Sequence, residues 1–290
     1  PEVDSLTNGC QPGTVGSIAA FVGEGKTTLL NSFLFKNALS GHKCVLFSLE
    51  LAPELVWMSF QARYLYEVKG VQITAQDLIF KRLSDENEAL IKKYDDDFKR
   101  DICSNLMIVD ESVLSKKVVA DAKMLSNLFK KIEQRLGSID ITAWDHVGQL
   151  ELMYPDTGNR AIRNITSFTK TYINAKGVHP FSMLAVQANR EGRARAARRN
   201  GVYDLRAISD LNECERSSTY CIFLYTTDDS KIVQETKITM LKHRLGAVLP
   251  EPATITFNPA IITVGTNVEK ITASADDFSN VFGDSFDDTF

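Results

Sequence analysis

The chain has 290 residues, 44% of them apolar, with a formal net charge of −4 at neutral pH. That size supports one large core or two modest ones, and no apolar run reaches the roughly 20 residues needed to cross a bilayer, which sets aside a membrane-embedded class. The acidity is local: residues 274–290 carry Asp276, Asp277, Asp284, Asp287 and Asp288 with no Lys or Arg, and the remainder is near neutral.

In chain order, apolar runs alternate with helical stretches. Ser17-Ile18-Ala19 reads as a strand and Thr28 to Ala38 as an amphipathic helix. Between them stands Ala20-Phe21-Val22-Gly23-Glu24-Gly25-Lys26-Thr27, a strand end, a glycine-bearing loop and a helix start in the order a phosphate-binding P-loop needs. The pattern G-x-x-x-x-G-K-[ST] is met except at its first position, where Ala20 is a mild departure. The candidate phosphate nest runs through Gly23, Glu24, Gly25, Lys26, Thr27 and Thr28, whose backbone N–H groups meet at a helix N-terminus. The Lys26 ammonium reaches outer phosphates and the Thr27 hydroxyl holds Mg²⁺. This predicts a nucleoside triphosphate site.

Further along, Lys43 to Leu49 reads as a short buried strand and Pro53 to Tyr66 as a helix with Pro in its first turn. Thr74 to Lys99 is charged and helical, with Ser84-Asp85-Glu86-Asn87-Glu88 a good helix N-terminal signal; Asn105 to Val109 is a strand, and Ser115 to Leu136 an amphipathic helix. Asp140 to Trp144 and Ser182 to Gln187 read as strands, with Ala161 to Ala175 a helix between them. Tyr220 to Tyr225, Lys237 to Leu241 and Thr254 to Phe257 are later strands. The alternation predicts an α/β fold, a mostly parallel sheet with helices on both faces; the closely spaced later strands predict antiparallel edges. One domain is expected over residues 1–265, followed by a flexible acidic tail over 266–290. The start Pro-Glu-Val-Asp shows neither an initiator Met nor a signal pattern, and suggests a processed chain or a piece of a longer one. Five scattered cysteines without a C-x-x-C pair predict reduced thiols in a cytoplasm.

Hydrolysis needs more than a P-loop: a metal-orienting carboxylate, a group that positions water, and charge for the transition state. Asp145 ends the strand Asp140 to Trp144 and reads either as the carboxylate that orients Mg²⁺ or as a turn Asp at a strand end. Glu50 ends the run Cys44 to Leu49 and reads either as the base that takes a proton from water or as a helix N-terminal carboxylate ahead of Pro53. Gln187 reads either as a γ-phosphate sensor or as a strand-end amide. Lys242 and Arg244 alternate after a strand, with both side chains on one face. They suit a γ-phosphate on a neighbouring subunit, or form a solvated strand end. The stretch Arg190 to Arg199 holds five Arg and one Glu among Ala and Gly, and reads as an exposed mobile loop. Its charge suits a phosphate backbone with little sequence preference, or is solvated surface.

These residues, in this order, resemble the ATPase domain of DnaB-type replicative DNA helicases, including phage-encoded ones. The resemblance starts at Val3-Asp4-Ser5-Leu6-Thr7-Asn8-Gly9-Cys10-Gln11-Pro12-Gly13. It continues through Phe47-Ser48-Leu49-Glu50-Leu51, Leu83-Ser84-Asp85-Glu86, Trp144-Asp145-His146-Val147-Gly148-Gln149-Leu150 and Gln187-Ala188-Asn189-Arg190. It closes with Lys242-His243-Arg244-Leu245-Gly246 and Phe257-Asn258-Pro259. Ala is common in this family where Ala20 stands. The resemblance implies a RecA-like core, assembly into a homohexamer, and movement along single-stranded DNA driven by ATP with Mg²⁺ during replication. It implies Lys26 and Thr27 as phosphate and Mg²⁺ ligands, Glu50 as catalytic base, Asp145 on the metal, and Gln187 as sensor. Lys242 and Arg244 would act on the neighbour's γ-phosphate, and Arg190, Arg193, Arg195, Arg198 and Arg206 would be the DNA contacts. The acidic tail ending Phe286-Asp287-Asp288-Thr289-Phe290 resembles tails that dock on a primase, polymerase, loader or single-strand binding protein. A bacterial cytoplasm, or a phage's bacterial host, is the implied location. Three departures stand out. The family's N-terminal helical collar has no counterpart here, His146 stands where Tyr is common, and Asp204 to Ser218 fits only through Asp204-Leu205-Arg206. Two other readings of the P-loop remain, a RecA-type recombinase or mediator filament and a nucleotide-dependent assembly scaffold.

Overall fold

The computed structural model describes residues 9–261 and 263–265. Their strands form a single nine-stranded sheet in the order β3-β2-β4-β5-β1-β6-β7-β8-β9. The strands are β1 Val15–Ala20, β2 Cys44–Ser48, β3 Leu106–Asp110, β4 Ile141–Asp145, β5 Phe181–Gln187, β6 Tyr220–Tyr225, β7 Glu235–His243, β8 Leu249–Asn258 and β9 Thr263–Gly265. Strands β1 to β6 run parallel; β7, β8 and β9 add on antiparallel. This is the α/β architecture expected from the alternation of runs. The tail over 266–290 lies outside the described residues.

The parallel strands are continuous apolar runs because helices cover both of their faces. Period two divides each strand between two cores. In β2, Val45 and Phe47 face one core with Phe129, Trp144 and Leu184. Leu46 faces the other with Leu30, Leu34, Phe35 and Phe60. Aromatic rings dominate the first core: Phe47 stacks on Trp144 at 3.9 Å between centroids, and Phe129 on Phe168 at 3.7 Å. The P-loop helix, Lys26–Leu39, inserts Leu30, Leu34, Phe35 and Ala38 into the second core.

The charged stretch holds two helices, the second starting at the Ser84 signal, and the long helix expected over 115–136 is broken in two. The stretch 74–99 forms Ala75–Ile79 and Asp85–Phe98, because the Thr74 hydroxyl and Asp77 carboxylate cap the first and Ser84 caps the second. The stretch 115–136 forms Lys116–Ala120 and Ala122–Leu136, with the Asp121 carboxylate between them accepting from the N–H groups of Lys123 and Met124 at 2.8 and 2.9 Å. The helix expected over 161–175 runs from Gly158 to Thr171 instead. Arg190 to Arg198, expected as a mobile loop, is a helix. Asn189 caps it by accepting from the Gly192 N–H at 2.8 Å. Gly192 lets it dock closely, since a Cβ there would lie 2.4 Å from that of Ala207.

Candidate nucleotide site

Parallel strands bring their carboxyl ends to one edge of the sheet, where α/β folds place their ligands. Register then assembles the site. Ala20 of β1 lies opposite Gln187 of β5, and Ser48 of β2 opposite Asp145 of β4. The chain leaving β2 stays tied to that end, with the Leu49 N–H donating to the Asp145 carbonyl at 2.7 Å. Glu50, Asp145, Gln187 and the P-loop therefore share one rim.

The P-loop turns through Gly23 at φ 71° and Gly25 at φ 92°, both left-handed, where a Cβ is strained. Gly25 is the N-cap of the helix, with no side chain satisfying the first-turn N–H groups and no acidic residue in that turn. Those donors and the positive end of the helix dipole are free for an anion. Lys26 is buried, and Thr27 and Thr28 are half-buried in the same first turn.

Asp145 is buried and its Oδ1 has no hydrogen-bond partner. Burial raises its carboxyl above the usual range, Glu50 adds to that, and the Thr27 hydrogen bond and Lys26 charge oppose it. A hydroxyl beside an unpartnered carboxylate oxygen is a fitting donor set for Mg²⁺, which takes oxygen ligands and keeps several waters. The peptide bond from Asp145 to His146 is cis. His146 is buried, with Nε2 3.7 Å from a carboxylate oxygen of Glu50. Burial first, then Lys26, lowers its pKa against the pull of Glu50, which favours the neutral ring. The Glu50 carboxylate itself is half-exposed, at the mouth of the site.

Glu24 differs from its P-loop neighbours. Only 3% of it is exposed, and its carboxylate points into the fold. The Tyr203 hydroxyl donates to Oε2 at 2.7 Å, the Phe21 N–H donates to the same oxygen at 3.2 Å, and Arg193 pairs with Oε1. Neither Tyr203 nor this role for Glu24 was legible in the sequence. A lone Glu between two glycines gives no sign of a partner 179 residues away.

The basic helix is equally selective about its arginines. Arg193 is spent on Glu24 and donates to the Thr226 carbonyl at 3.3 Å. Arg195 makes two bonds to Asp204, at 2.9 and 3.1 Å. The sequence groups both with the DNA contacts, yet each already holds a carboxylate. Arg190, Arg198 and Arg206 are exposed.

Lys242 and Arg244 lie elsewhere. Lys242 is registered with Cys221, and the Arg244 N–H donates to the Thr219 carbonyl at 2.8 Å. These are the entry residues of β6, which runs parallel to β1 with Tyr220 opposite Gly16. The pair therefore sits at the far edge of the sheet from the chain's own P-loop. Both side chains donate to carbonyls in the last turn of helix Asn212–Ser217, Lys242 to Glu215 and Arg244 to Arg216.

A mostly parallel sheet with a P-loop after β1, and with carboxylates at the ends of neighbouring strands, defines a RecA-like P-loop ATPase. Solved structures agree on the fold. The ATPase domain of a phage helicase superposes with a TM-score of 0.70 at 18% identity, covering 92% of this chain and 89% of that one. A DnaB-like replicative helicase, solved for its interactions with primase, superposes at 0.68 with 16% identity over 92% of this chain, which spans 60% of that helicase. A KaiC-like protein from Pyrococcus horikoshii OT3 superposes at 0.56 with 13% identity, over 90% and 93% of the two chains. A search of curated protein sequences gives no significant match. The family model described as the DnaB-like helicase C-terminal domain matches residues 1–263, and the chain belongs to that family. It is accordingly an NTP-hydrolysing replicative-helicase domain of the DnaB-like C-terminal type.

Proposed function

We propose that the chain hydrolyses ATP with Mg²⁺ at sites shared between neighbouring subunits of a hexameric ring, and that hydrolysis moves the ring along single-stranded DNA. One observation carries this reading. The phosphate nest, the unpartnered Asp145 oxygen and Glu50 sit on one rim, while Lys242 and Arg244 sit on the opposite one. From Gly16 to Ala20 along β1 the separation is about 13 Å at a strand's rise, too far for either cation to serve its own P-loop. A neighbouring copy would have to bring them.

In this site Lys26 and the loop N–H groups hold the outer phosphates, and Thr27 with Asp145 holds Mg²⁺, which supplies charge neutralisation at the phosphates when bound. Glu50 orients the attacking water and takes its proton. Gln187 sits at the end of β5, just ahead of Asn189 and the basic helix, and reports γ-phosphate occupancy to that helix. Lys242 and Arg244 of the next subunit stabilise the transferring phosphoryl group. Arg190, Arg198 and Arg206 supply exposed charge for the DNA backbone. The acidic tail recruits a replication partner such as a primase, loader, polymerase or single-strand binding protein.

Subunit mixing tests the shared site. Lys26→Ala and Arg244→Ala chains should each be inactive, and mixing them should restore part of the turnover, because an intact P-loop then meets an intact Arg244. Absence of restoration, with mixed assembly verified, rejects the shared site. An open filament in particle images with nucleotide and single-stranded DNA would favour a recombinase-type ATPase instead.

A further inference from the structure

Three segments that are distant in sequence close around one carboxylate. Glu24 contributes it from the P-loop. The basic helix contributes Arg193, and the loop after that helix contributes Tyr203. The end of β6 completes the cluster. The Arg193 guanidinium lies 4.2 Å above the Tyr225 ring and donates to the Thr226 carbonyl, while the Thr226 hydroxyl donates back to the Glu24 carbonyl at 3.2 Å. Tyr203 stacks on Phe223 at 5.5 Å. Oε2 of Glu24 accepts from Tyr203 and the Phe21 N–H, Oε1 meets Arg193 as an ion pair without a hydrogen bond, and burial excludes water from both.

Glu24 is buried and Arg193 half-buried, so removing Arg193 leaves an uncompensated carboxylate inside the fold. The contact therefore ties the position of the P-loop to that of helix Arg190–Arg198. The same helix starts three residues after Gln187 and ends beside the exposed Arg198.

We propose that the Glu24–Arg193 pair, supported by Tyr203, is the mechanical link through which DNA on the basic helix sets the geometry of the P-loop. Arg193 is then a positioning residue for hydrolysis rather than a phosphate-backbone ligand. The inference rests on the proposed ATP- and DNA-dependent activity, and it assigns the coupling of the two to side chains outside the reacting atoms.

The experiment measures ATP turnover with and without a thymidine oligonucleotide, and oligonucleotide affinity as a function of salt, in the assembled protein. Wild-type protein must first show DNA-stimulated turnover; a lack of stimulation there rejects the underlying functional reading. Arg193→Gln and Glu24→Gln should each lower the stimulated kcat about tenfold or more with KM for ATP changed less than about threefold. Oligonucleotide affinity and its salt slope should stay within about twofold of wild type. The double variant Glu24→Gln/Arg193→Gln, which leaves no lone buried charge, should lose no more stimulation than either single variant, as members of one pair do. A lowered salt slope in Arg193→Gln makes Arg193 a DNA ligand and overturns the proposal, as does retained stimulation in both single variants. A variant-free measurement covers loss of folding. In wild-type protein, a non-hydrolysable ATP analogue without DNA should slow amide hydrogen exchange in helix Arg190–Arg198 by about tenfold. Unchanged exchange there, with nucleotide bound, overturns the link.

Discussion

Gly25 lies directly beneath the ring of Phe257: a Cβ on Gly25 would fall 2.2 Å from the ring's Cζ. The last long strand of the sheet thus closes over the P-loop, and the glycine is required twice, by its φ of 92° and by that ring. Gly25→Ala is expected to destabilise the fold by about 1–3 kcal/mol and to weaken nucleotide binding. Adding Phe257→Ala should remove the overlap, leave the backbone strain and so recover only part of the loss. Urea unfolding and binding of a fluorescent nucleotide check both; undiminished binding in Gly25→Ala would show that the ring yields freely.

Glu50→Gln separates binding from chemistry. Nucleotide affinity should hold, while turnover falls about 10²–10⁴-fold, the contribution of a general base. Lys26→Ala should instead abolish affinity. Wild-type turnover in Glu50→Gln would return Glu50 to the role of a helix N-terminal carboxylate.

The proposed DNA contacts are testable by salt titration. Arg198→Ala and Arg206→Ala should each reduce the slope of log affinity against log salt by about one, as the loss of one phosphate contact does. If both slopes equal that of the wild type, these exposed arginines are solvated surface.

Asp204 predicts an acid-side change in stability. The Arg195 hydrogen bond holds its carboxyl below the usual carboxylate range. A folded pKa below the unfolded one contributes stability that is present above the unfolded value and lost as pH falls through the folded value. Asp204→Asn should therefore melt below wild type at pH 7, and the two melting curves should converge as pH falls below the usual carboxylate range. A constant gap across that range would place the effect outside ionisation.

Phe129 sits in the aromatic core with none of its surface exposed, against Phe47, Trp144 and Phe168. Phe129→Ala should cost about 3–5 kcal/mol by denaturant unfolding. Phe80, 61% exposed, serves as control, and Phe80→Ala should stay within about 0.5 kcal/mol of wild type.

The rim residues were legible in the sequence for a physical reason. Buried parallel strands are short apolar runs that stop at a polar residue, so Glu50, Asp145 and Gln187 mark strand ends, and parallel pairing then gathers them. The break at Asp121 was less visible, because its carboxylate caps the second helix inside a stretch whose periodicity continues past it, whereas Ser84 marked its own helix start. The basic helix was missed because Gly192 and a run of charge resemble a loop, whereas Asn189 and the close approach to Ala207 decide otherwise. The partners of Glu24 and of Lys242 were not legible at all: each contact joins elements that only the finished fold brings together.

The placement of Lys242 at the entry of β6 and of the P-loop at the exit of β1 gives the subunit a front and a back. Two copies related by a twofold axis would present front to front and leave both fronts without cations. Under the proposed shared site, head-to-tail stacking matches the Lys242 edge to the next P-loop, and such stacking repeats without reversing. An assembly made this way carries an arrow, the same in every subunit, before any nucleotide is hydrolysed. A polar track such as a DNA strand can be read in one sense by a molecule that is itself polar.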